Sequence, residues 1–559
     1  MDRSLLRAWL EEDPDPETRA ALATLMQAAD LGSADAEAEL VDSFSGRLTF
    51  GTAGLRGALG PGPNRMNRMV VRQTAAGLAA FVREQSGRVI VIGFDARHQS
   101  DVFARESAAV FAGAGLRVMI LPRALPTPVL AHAVLSLGCD AGVMVTASHN
   151  PAVDNGYKVY LGDGAQIAAP VDQQISDHIT RVAAGPLSAI TLGDEWETLG
   201  EEVLVRYVAR AASLVRQRSL RPARVVYTPM HGVGGTVFNA VLSAAGLPEP
   251  IMVVEQSEPD PDFPTVAFPN PEEPGALDLA LATAQCCDAD LLIAHDPDAD
   301  RCAVGLRVQD AEGTGPKWRI LTGDEVGSLL AWSLTRADVC EPSDVFAQSI
   351  VSGTMLRSIA QTAGLGHVQT LTGFKWISRV PNLRFGYEEA LGYCVDPGYV
   401  RDKDGITAGL LVIAMAGRLL DEGRTLADVL DDLEVEHGIH ATTQISRRFA
   451  TTAHIGALID GLRTDPPTVM AGIKVQGVDD LACGVDGLPP TEGLRFVLDG
   501  GGRIIVRPSG TEPKIKCYLQ VVERVAGGLD GLAAARASAR QRLDLIAADV
   551  EVRLSRPVG

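Results

Sequence analysis

Short apolar runs ending in polar or glycine-rich loops alternate along this chain with stretches whose apolar residues recur at helical spacing. Runs of that length with no polar interruption read as strands covered on both faces. Residues 88–94 predict a buried strand ending at Asp95-Ala96-Arg97, 102–113 a helix, 116–121 another strand and 140–145 a third. From about residue 205 the alternation resumes. The run 224–227 ends at Thr228-Pro229-Met230-His231-Gly232-Val233-Gly234, and runs at 251–255 and 290–294 follow. A third block opens with a helical stretch at 324–334, passes Gly373-Phe374-Lys375-Trp376 and the loop at Glu388, and closes with a long helix at 407–420. The final block, from about 440, ends in an Ala/Arg-rich helix at 531–547. The pattern predicts an α/β protein of repeated strand–loop–helix units. No internal repeat shows at the level of residues.

Three loops at the ends of apolar runs carry chemistry. Thr146-Ala147-Ser148-His149-Asn150-Pro151 leaves the run 140–145, with Lys158 ten residues beyond the serine. In open α/β sheets the active site collects at the C-terminal ends of strands. Ser148 is therefore a candidate nucleophile or phosphate carrier, and Lys158 a candidate proton shuttle. An Asn-Pro turn with no function is the plain alternative. His149 is expected to orient or bond phosphate, since its side chain would point away from the serine on an extended segment. No Gly-x-Ser-x-Gly elbow surrounds Ser148, which argues against a serine hydrolase.

Asp296-Pro297-Asp298-Ala299-Asp300-Arg301 follows the next run. Alternate residues of an extended segment face one way, so these carboxylates converge on one hard cation, with Mg²⁺ preferred by an all-oxygen set. An EF-hand does not fit, because Arg301 and Arg307 occupy the places of its glycine and its bidentate glutamate. In Arg507-Pro508-Ser509-Gly510-Thr511-Glu512-Pro513-Lys514, a guanidinium fork, two hydroxyls, a glycine-freed backbone and an ammonium suit a phosphate monoester. The loop lacks the Walker pattern. Gly113-Ala114-Gly115 and Gly232-Val233-Gly234-Gly235 do not complete a dinucleotide fingerprint, since Val118 and Val237 stand where its last glycine belongs.

Taken in order, these motifs resemble those of the α-D-phosphohexomutases, the phosphoglucomutase/phosphomannomutase family, and more narrowly its long-chain phosphoglucomutase/phosphopentomutase-like branch. The resemblance runs from Gly51-Thr52-Ala53-Gly54-Leu55-Arg56-Gly57 to the phosphate loop. It implies three similar α/β domains with mixed sheets and a distinct C-terminal α+β domain around a central cleft. The expected boundaries are 1–204, with an N-terminal helical extension, then 205–323, 324–440 and 441–559; a length of 559 residues agrees with about four domains. It also implies one Mg²⁺ held by Asp296, Asp298, Asp300 and the phosphorylated Ser148. Phosphate would pass between that serine and the sugar through a bisphosphate such as glucose 1,6-bisphosphate. Arg56, His149, Lys158 and Lys375 are the expected catalytic partners, with the Lys158 pKa lowered by burial and nearby cations so that it serves as base. Arg97, His231, Arg301, Glu388 and Glu389 are expected to bind substrate, and Arg507, Ser509, Gly510, Thr511 and Lys514 its phosphate. The loops lie in different blocks, so domain closure is an expectation too.

The sugar is less defined. Many glucose- and mannose-specific relatives carry Glu-x-Ser in the sugar loop, where this chain has Ala390. Losing one hydroxyl donor shifts preference by roughly 1–3 kcal/mol, enough to reorder substrates. Interconversion of glucose 1- and 6-phosphates is the expected reaction. Mannose or pentose phosphates, a sugar-bisphosphate synthase and a non-catalytic phosphosugar-binding protein are the alternatives.

Composition agrees. A net charge of −20 excludes a nucleic-acid surface, while the cations gather in the candidate loops and focus the field on a small anion. The longest apolar stretch, 410–416, is too short to span a bilayer. Eight scattered cysteines and no export signal at residues 1–5 lead to the expectation of a cytoplasmic protein, monomeric or homodimeric.

Overall fold

The structure, a computed structural model, describes residues 3–51, 54–215, 221–309, 316–337, 339–449, 452–508 and 514–555. The chain forms two compact units, Met1–Leu321 with Ala390–Asp421, and Thr322–Glu389 with Glu422–Gly559.

The first unit holds two mixed sheets. Strands β1 (Leu55–Ala58), β2 (Val89–Phe94), β3 (Arg117–Ile120), β4 (Ala141–Val145), β5 (Asp154–Leu161) and β6 (Glu197–Thr198) build one, in the order β1-β5-β4-β2-β3-β6. Strands β7 (Val225–Thr228), β8 (Ile251–Met252), β9 (Leu291–His295), β10 (Cys302–Gln309) and β11 (Pro316–Ile320) build the other, in the order β11-β10-β9-β7-β8. Each contains a parallel triad, β4-β2-β3 or β9-β7-β8, whose third strand in the chain turns back into an antiparallel neighbour, β5 or β10. β4 and β9 are buried at every residue, which is why both read as unbroken apolar runs. The serine loop joins β4 to β5, and the aspartate loop joins β9 to β10. The two candidate motifs therefore occupy the same topological position in two sheets.

Three N-terminal helices, Arg3–Glu12, Pro16–Asp30 and Ala34–Ser43, add Leu6, Trp9, Leu22 and Leu40 to the core of the first sheet. The helix Gly405–Asp421 falls within the third domain expected from the sequence, yet the segment Ala390–Asp421 packs as part of the first unit. A glycine makes that packing close. A Cβ on Gly405 would sit 2.3 Å from the Arg301 carbonyl oxygen, so no larger residue fits against the aspartate loop here.

The second unit repeats the parallel triad. β12 (Val345–Ser349) lies between β13 (Gly366–Thr370) and β14 (Leu383–Glu388), both parallel to it. It also holds a six-stranded sheet of wholly different design, ordered Ile439–Arg448, Lys514–Glu523, Arg503–Pro508, Leu494–Leu498, Ile473–Asp480 and Val469–Met470, with every neighbour antiparallel. The last helix, Leu529–Leu554, is longer than the sequence pattern predicts. It buries Leu532, Ala535, Ala539, Leu543, Ile546, Val550 and Leu554, a stripe at three- and four-residue spacing, in that sheet's core. No helix among the described residues is long and apolar enough to cross a membrane.

Candidate active site

Ser148 is buried and adopts φ +55°, in the left-handed region that favours glycine. The serine loop is thus not extended, and this corrects the expected direction of His149. The turn brings His149 Nδ1 to 3.1 Å from Ser148 Oγ, which in turn donates to Asp296 Oδ2 at 2.9 Å. A hydroxyl has one proton to give. Donated to Asp296, it leaves the serine oxygen to accept from a neutral Nδ1–H imidazole. Burial, reinforced by the charges of Arg301 and Arg56, pulls the His149 pKa well below its ordinary value and keeps it neutral. In this arrangement the histidine orients the serine and does not act as its base.

Arg97, expected to bind substrate, frames the serine loop. Its Nη1 donates to the carbonyls of Pro151 (2.7 Å) and Asp154 (3.1 Å), and its Nη2 to those of Ser148 (2.7 Å) and Asn150. The physical reason is that a tight loop leaves carbonyls without backbone partners, and one planar fork of donors satisfies four of them. Arg97 Nε faces Asp95 at 3.5 Å, and its guanidinium lies over the Phe263 ring.

The aspartate loop is a turn as well, closed by Ala299 N–H donating to Asp296 O (2.8 Å), with Ala299 at φ +53°. The turn, not an extended strand, brings the carboxylates of Asp296, Asp298 and Asp300 together, one oxygen of each within 4.8 Å of the others, all buried. Lys158 Nζ donates to Asp298 Oδ2 (2.6 Å) and Asp300 Oδ2 (2.8 Å). Arg301 N–H donates to Asp296 Oδ1 (3.0 Å). The remaining oxygens, Asp298 Oδ1 and Asp300 Oδ1, are buried without a hydrogen-bond partner. Bare, converging, all-oxygen acceptors are what a hard divalent cation requires, so the donor set fits Mg²⁺.

The electrostatics follow from this crowding. Burial pushes the carboxyls of Asp296 and Asp298 up, and the charge of Asp300 adds to it. Burial acts on Asp300 in the same sense, but Lys158, Lys403 and Arg301 outweigh it and hold that carboxyl below its ordinary value. For Lys158, burial favours the neutral amine, yet Asp298 and Asp300 outweigh it and the net shift is upward. This corrects the expectation of a lowered pKa: as arranged here, Lys158 is an ammonium and a donor. Arg56, on β1, feels the charges of Asp298, Asp300 and Asp296, but burial dominates and lowers its pKa.

Two supports of the aspartate loop escaped the sequence reading. Lys403 Nζ lies 3.4 Å from Asp300 Oδ2 and from Asp402 Oδ1, and Tyr160 donates to Asp402 Oδ2 at 2.6 Å. The charged run Asp402-Lys403-Asp404 was the only signal. The second is a chain of hydrogen bonds through His295, which burial drives down to about 3 and so keeps neutral. Tyr227 OH donates to His295 Nδ1 (2.9 Å), His295 Nε2–H donates to Gly405 O (2.9 Å), and Gly405 N–H donates to Ala299 O (3.2 Å).

Of the other expected substrate residues, Arg301 Nη1 donates to Ala390 O (3.0 Å) and lies 3.6 Å from Glu272. His231 is turned inward: its Nε2 meets Thr265 Oγ1 at 2.9 Å, within a left-handed turn of Met230 and His231. The ring, expected to bind substrate, thereby holds a strained loop. That loop abuts the aspartate loop, since a Cβ on Gly232 would lie 2.4 Å from Pro297 backbone.

In the second unit, Glu389, also expected to bind substrate, is held by two serines. Its carboxylate accepts from Ser349 Oγ (2.8 Å) and Ser352 Oγ (2.9 Å), which fixes the end of β14, and Glu388 and Glu389 are both half-buried. Lys375 lies in a short helix, Phe374–Ile377, with its ammonium over the Trp376 ring. Arg507 donates to Thr372 Oγ1, and the strands ending at Pro508 and beginning at Lys514 pair antiparallel, so Arg507 and Lys514 flank one hairpin loop. Ser509, Gly510 and Thr511 lie outside the described residues, as do Thr52 and Ala53.

The sequence matches the four parts of one family description: phosphoglucomutase/phosphomannomutase alpha/beta/alpha domain I over residues 47–185, domain II over 205–308, domain III over 322–436 and the C-terminal domain over 458–527. The chain belongs to the phosphoglucomutase/phosphomannomutase family. It is therefore an isomerase of the phosphohexomutase superfamily. A protein named "Probable phosphomannomutase" from Haemophilus influenzae is 47% identical over 459 residues, covering 81% of this chain and 92% of that protein. One named "Probable phosphoribomutase" from Schizosaccharomyces pombe is 35% identical, covering 92% of this chain and 93% of that protein. The crystal structure of a phosphoglucomutase/phosphomannomutase family protein from Burkholderia thailandensis has the same fold, with a TM-score of 0.67 at 22% identity over 89% of this chain and 97% of the other.

Proposed function

We propose that this mutase interconverts the 1- and 6-phosphates of glucose through a phosphorylated Ser148 and glucose 1,6-bisphosphate. The observation that carries the reading is the buried Ser148 Oγ hydrogen-bonded at 2.9 Å to Asp296, one of three converging carboxylates. Phosphoryl transfer asks little covalent chemistry of a protein beyond positioning and charge. Asp296, Asp298 and Asp300 would hold Mg²⁺, which would supply charge neutralisation for phosphoryl transfer.

The chain's own residues do the rest. In the first half-reaction the bond between Ser148 Oγ and phosphorus breaks as one forms to a sugar hydroxyl oxygen. The sugar hydroxyl gives up a proton, and the serine oxygen regains one. Lys158, a charged donor beside the aspartates, is assigned the delivery to the serine side, and Lys375 is the candidate for the sugar side. In the second half-reaction the bisphosphate returns its other phosphoryl group to Ser148, and both proton movements reverse. His149 holds the serine oxygen in line, Arg56 balances the anionic site, Glu388 and Arg301 bind sugar hydroxyls, and Arg507 and Lys514 bind a substrate phosphate.

The relationship to a phosphoribomutase over 92% of the chain, together with Ala390 in the sugar loop, favours pentose phosphates as the second reading. Turnover assays with Mg²⁺ and a trace of glucose 1,6-bisphosphate, on glucose 1-phosphate, mannose 1-phosphate and ribose 1-phosphate in parallel, decide between them. A higher kcat/KM for glucose 1-phosphate, abolished in Ser148→Ala, is expected. A higher kcat/KM for ribose 1-phosphate replaces the glucose reading with the pentose one, and no turnover of any sugar rejects both.

A further inference from the structure

The two carboxylate oxygens of Asp298 have different surroundings. Oδ2 accepts from Lys158 Nζ at 2.6 Å and also from the hydroxyl of Thr127, a buried residue 171 positions away in sequence. Oδ1 has no partner. Thr127 meets the same residue a second time, its backbone N–H donating to Asp298 O at 3.0 Å. It opens the helix Thr127–Ser136, so that N–H belongs to a first turn with no intrahelical acceptor, and using it on the loop costs the helix nothing. Asp298 is therefore gripped at main chain and side chain by the first residue of the helix that leads into β4, the strand before the serine loop.

We propose that Thr127 is a positioning residue for the metal site, fixing the Asp298 carboxylate so that Oδ1 is the oxygen offered to Mg²⁺. This rests on the metal reading of the aspartate loop. Lys158 alone does not define the carboxylate plane, because its ammonium is shared with Asp300. The threonine hydroxyl adds a second, differently directed donor on a side chain with few rotamers, and two donors on one oxygen leave the carboxylate no freedom to exchange its oxygens. Partners that orient a metal ligand in this way typically account for about 10- to 100-fold in metal affinity.

The test is calorimetric titration of the full chain with Mg²⁺, with Mn²⁺ electron paramagnetic resonance as a second readout, for the wild type, Thr127→Val and Thr127→Ser. The valine variant keeps the shape and loses the donor. It should bind about tenfold or more weakly, with the Mg²⁺ concentration at half-maximal turnover rising by the same factor, while the serine variant should stay within about threefold of wild type. Wild-type affinity in Thr127→Val overturns the proposal and leaves the metal reading standing; a wild type that binds neither ion overturns both. Should urea unfolding show Thr127→Val to be unfolded, Thr127→Cys, whose thiol is a weak donor, takes its place, with weakened binding expected and unchanged binding again decisive against the proposal.

Discussion

The serine loop and the aspartate loop make the same connection in two sheets, yet put the same backbone device to different uses. Each leaves the third strand of a parallel triad, turns through one left-handed non-glycine residue and returns on an antiparallel strand. In the first, that residue is Ser148 itself, so the strained position aims the hydroxyl proposed to carry phosphate. In the second it is Ala299, which bears no chemistry and folds its flanking aspartates together. Such a conformation costs of order 1–3 kcal/mol and persists only where the surroundings enforce it. The enforcement differs too: a guanidinium gathering carbonyls around Ser148, and neutral hydrogen bonds running to Ala299.

That difference is open to attack at several strengths. Ser148→Ala should abolish turnover while leaving Mg²⁺ affinity close to that of the unphosphorylated wild type. Asp300→Asn should instead remove measurable Mg²⁺ binding by calorimetry and lower turnover by roughly two or more orders of magnitude. If both variants lost metal binding equally, the two loops would be one indivisible site. Next in size is Arg97→Lys, which keeps the charge but lacks the planar fork; urea unfolding should show a loss of about 3 kcal/mol from unsatisfied buried carbonyls, and kcat should fall with it. Tyr227→Phe tests the other loop's support. It leaves His295 Nδ1 without a donor and should cost about 1–2 kcal/mol, with weaker Mg²⁺ binding. Smallest is Ala299→Gly, where relief of the left-handed strain opposes the extra entropy of the unfolded chain; the net change in unfolding free energy should stay within about 1 kcal/mol.

The strands carrying these loops were legible because they are buried on both faces, which forces continuous apolar runs such as 141–145 and 291–294. The recurrence of the triads was not, because buried strands need apolar residues of roughly suitable size and not the same residues. Ser148, Lys158 and the three aspartates could be found because charges and hydroxyls at the end of such a run are conspicuous. The geometry that joins them could not: a positive φ at serine or alanine leaves no mark in composition, so the sequence reading assumed extended segments and misdirected His149. Arg97, His231 and Glu389 were singled out as candidates to bind substrate, but residue type alone does not say whether a loop carbonyl, a neighbouring hydroxyl or a substrate will claim their donors and acceptors. Thr127 and Lys403 lie far in sequence from the aspartates they touch, so only the folded chain shows their roles.

The account stands or falls on Ser148 as a carrier that both accepts and returns phosphate. The direct measurement is to incubate the chain with Mg²⁺ and glucose 1,6-bisphosphate labelled in its phosphates, locate the label by peptide mass analysis, and chase it with unlabelled glucose 1-phosphate. Label on Ser148 that leaves in the chase and reappears in sugar phosphate, and is absent from Ser148→Ala, is the predicted result. Turnover proceeding with no label ever on Ser148, or label there that the chase never removes, would contradict it.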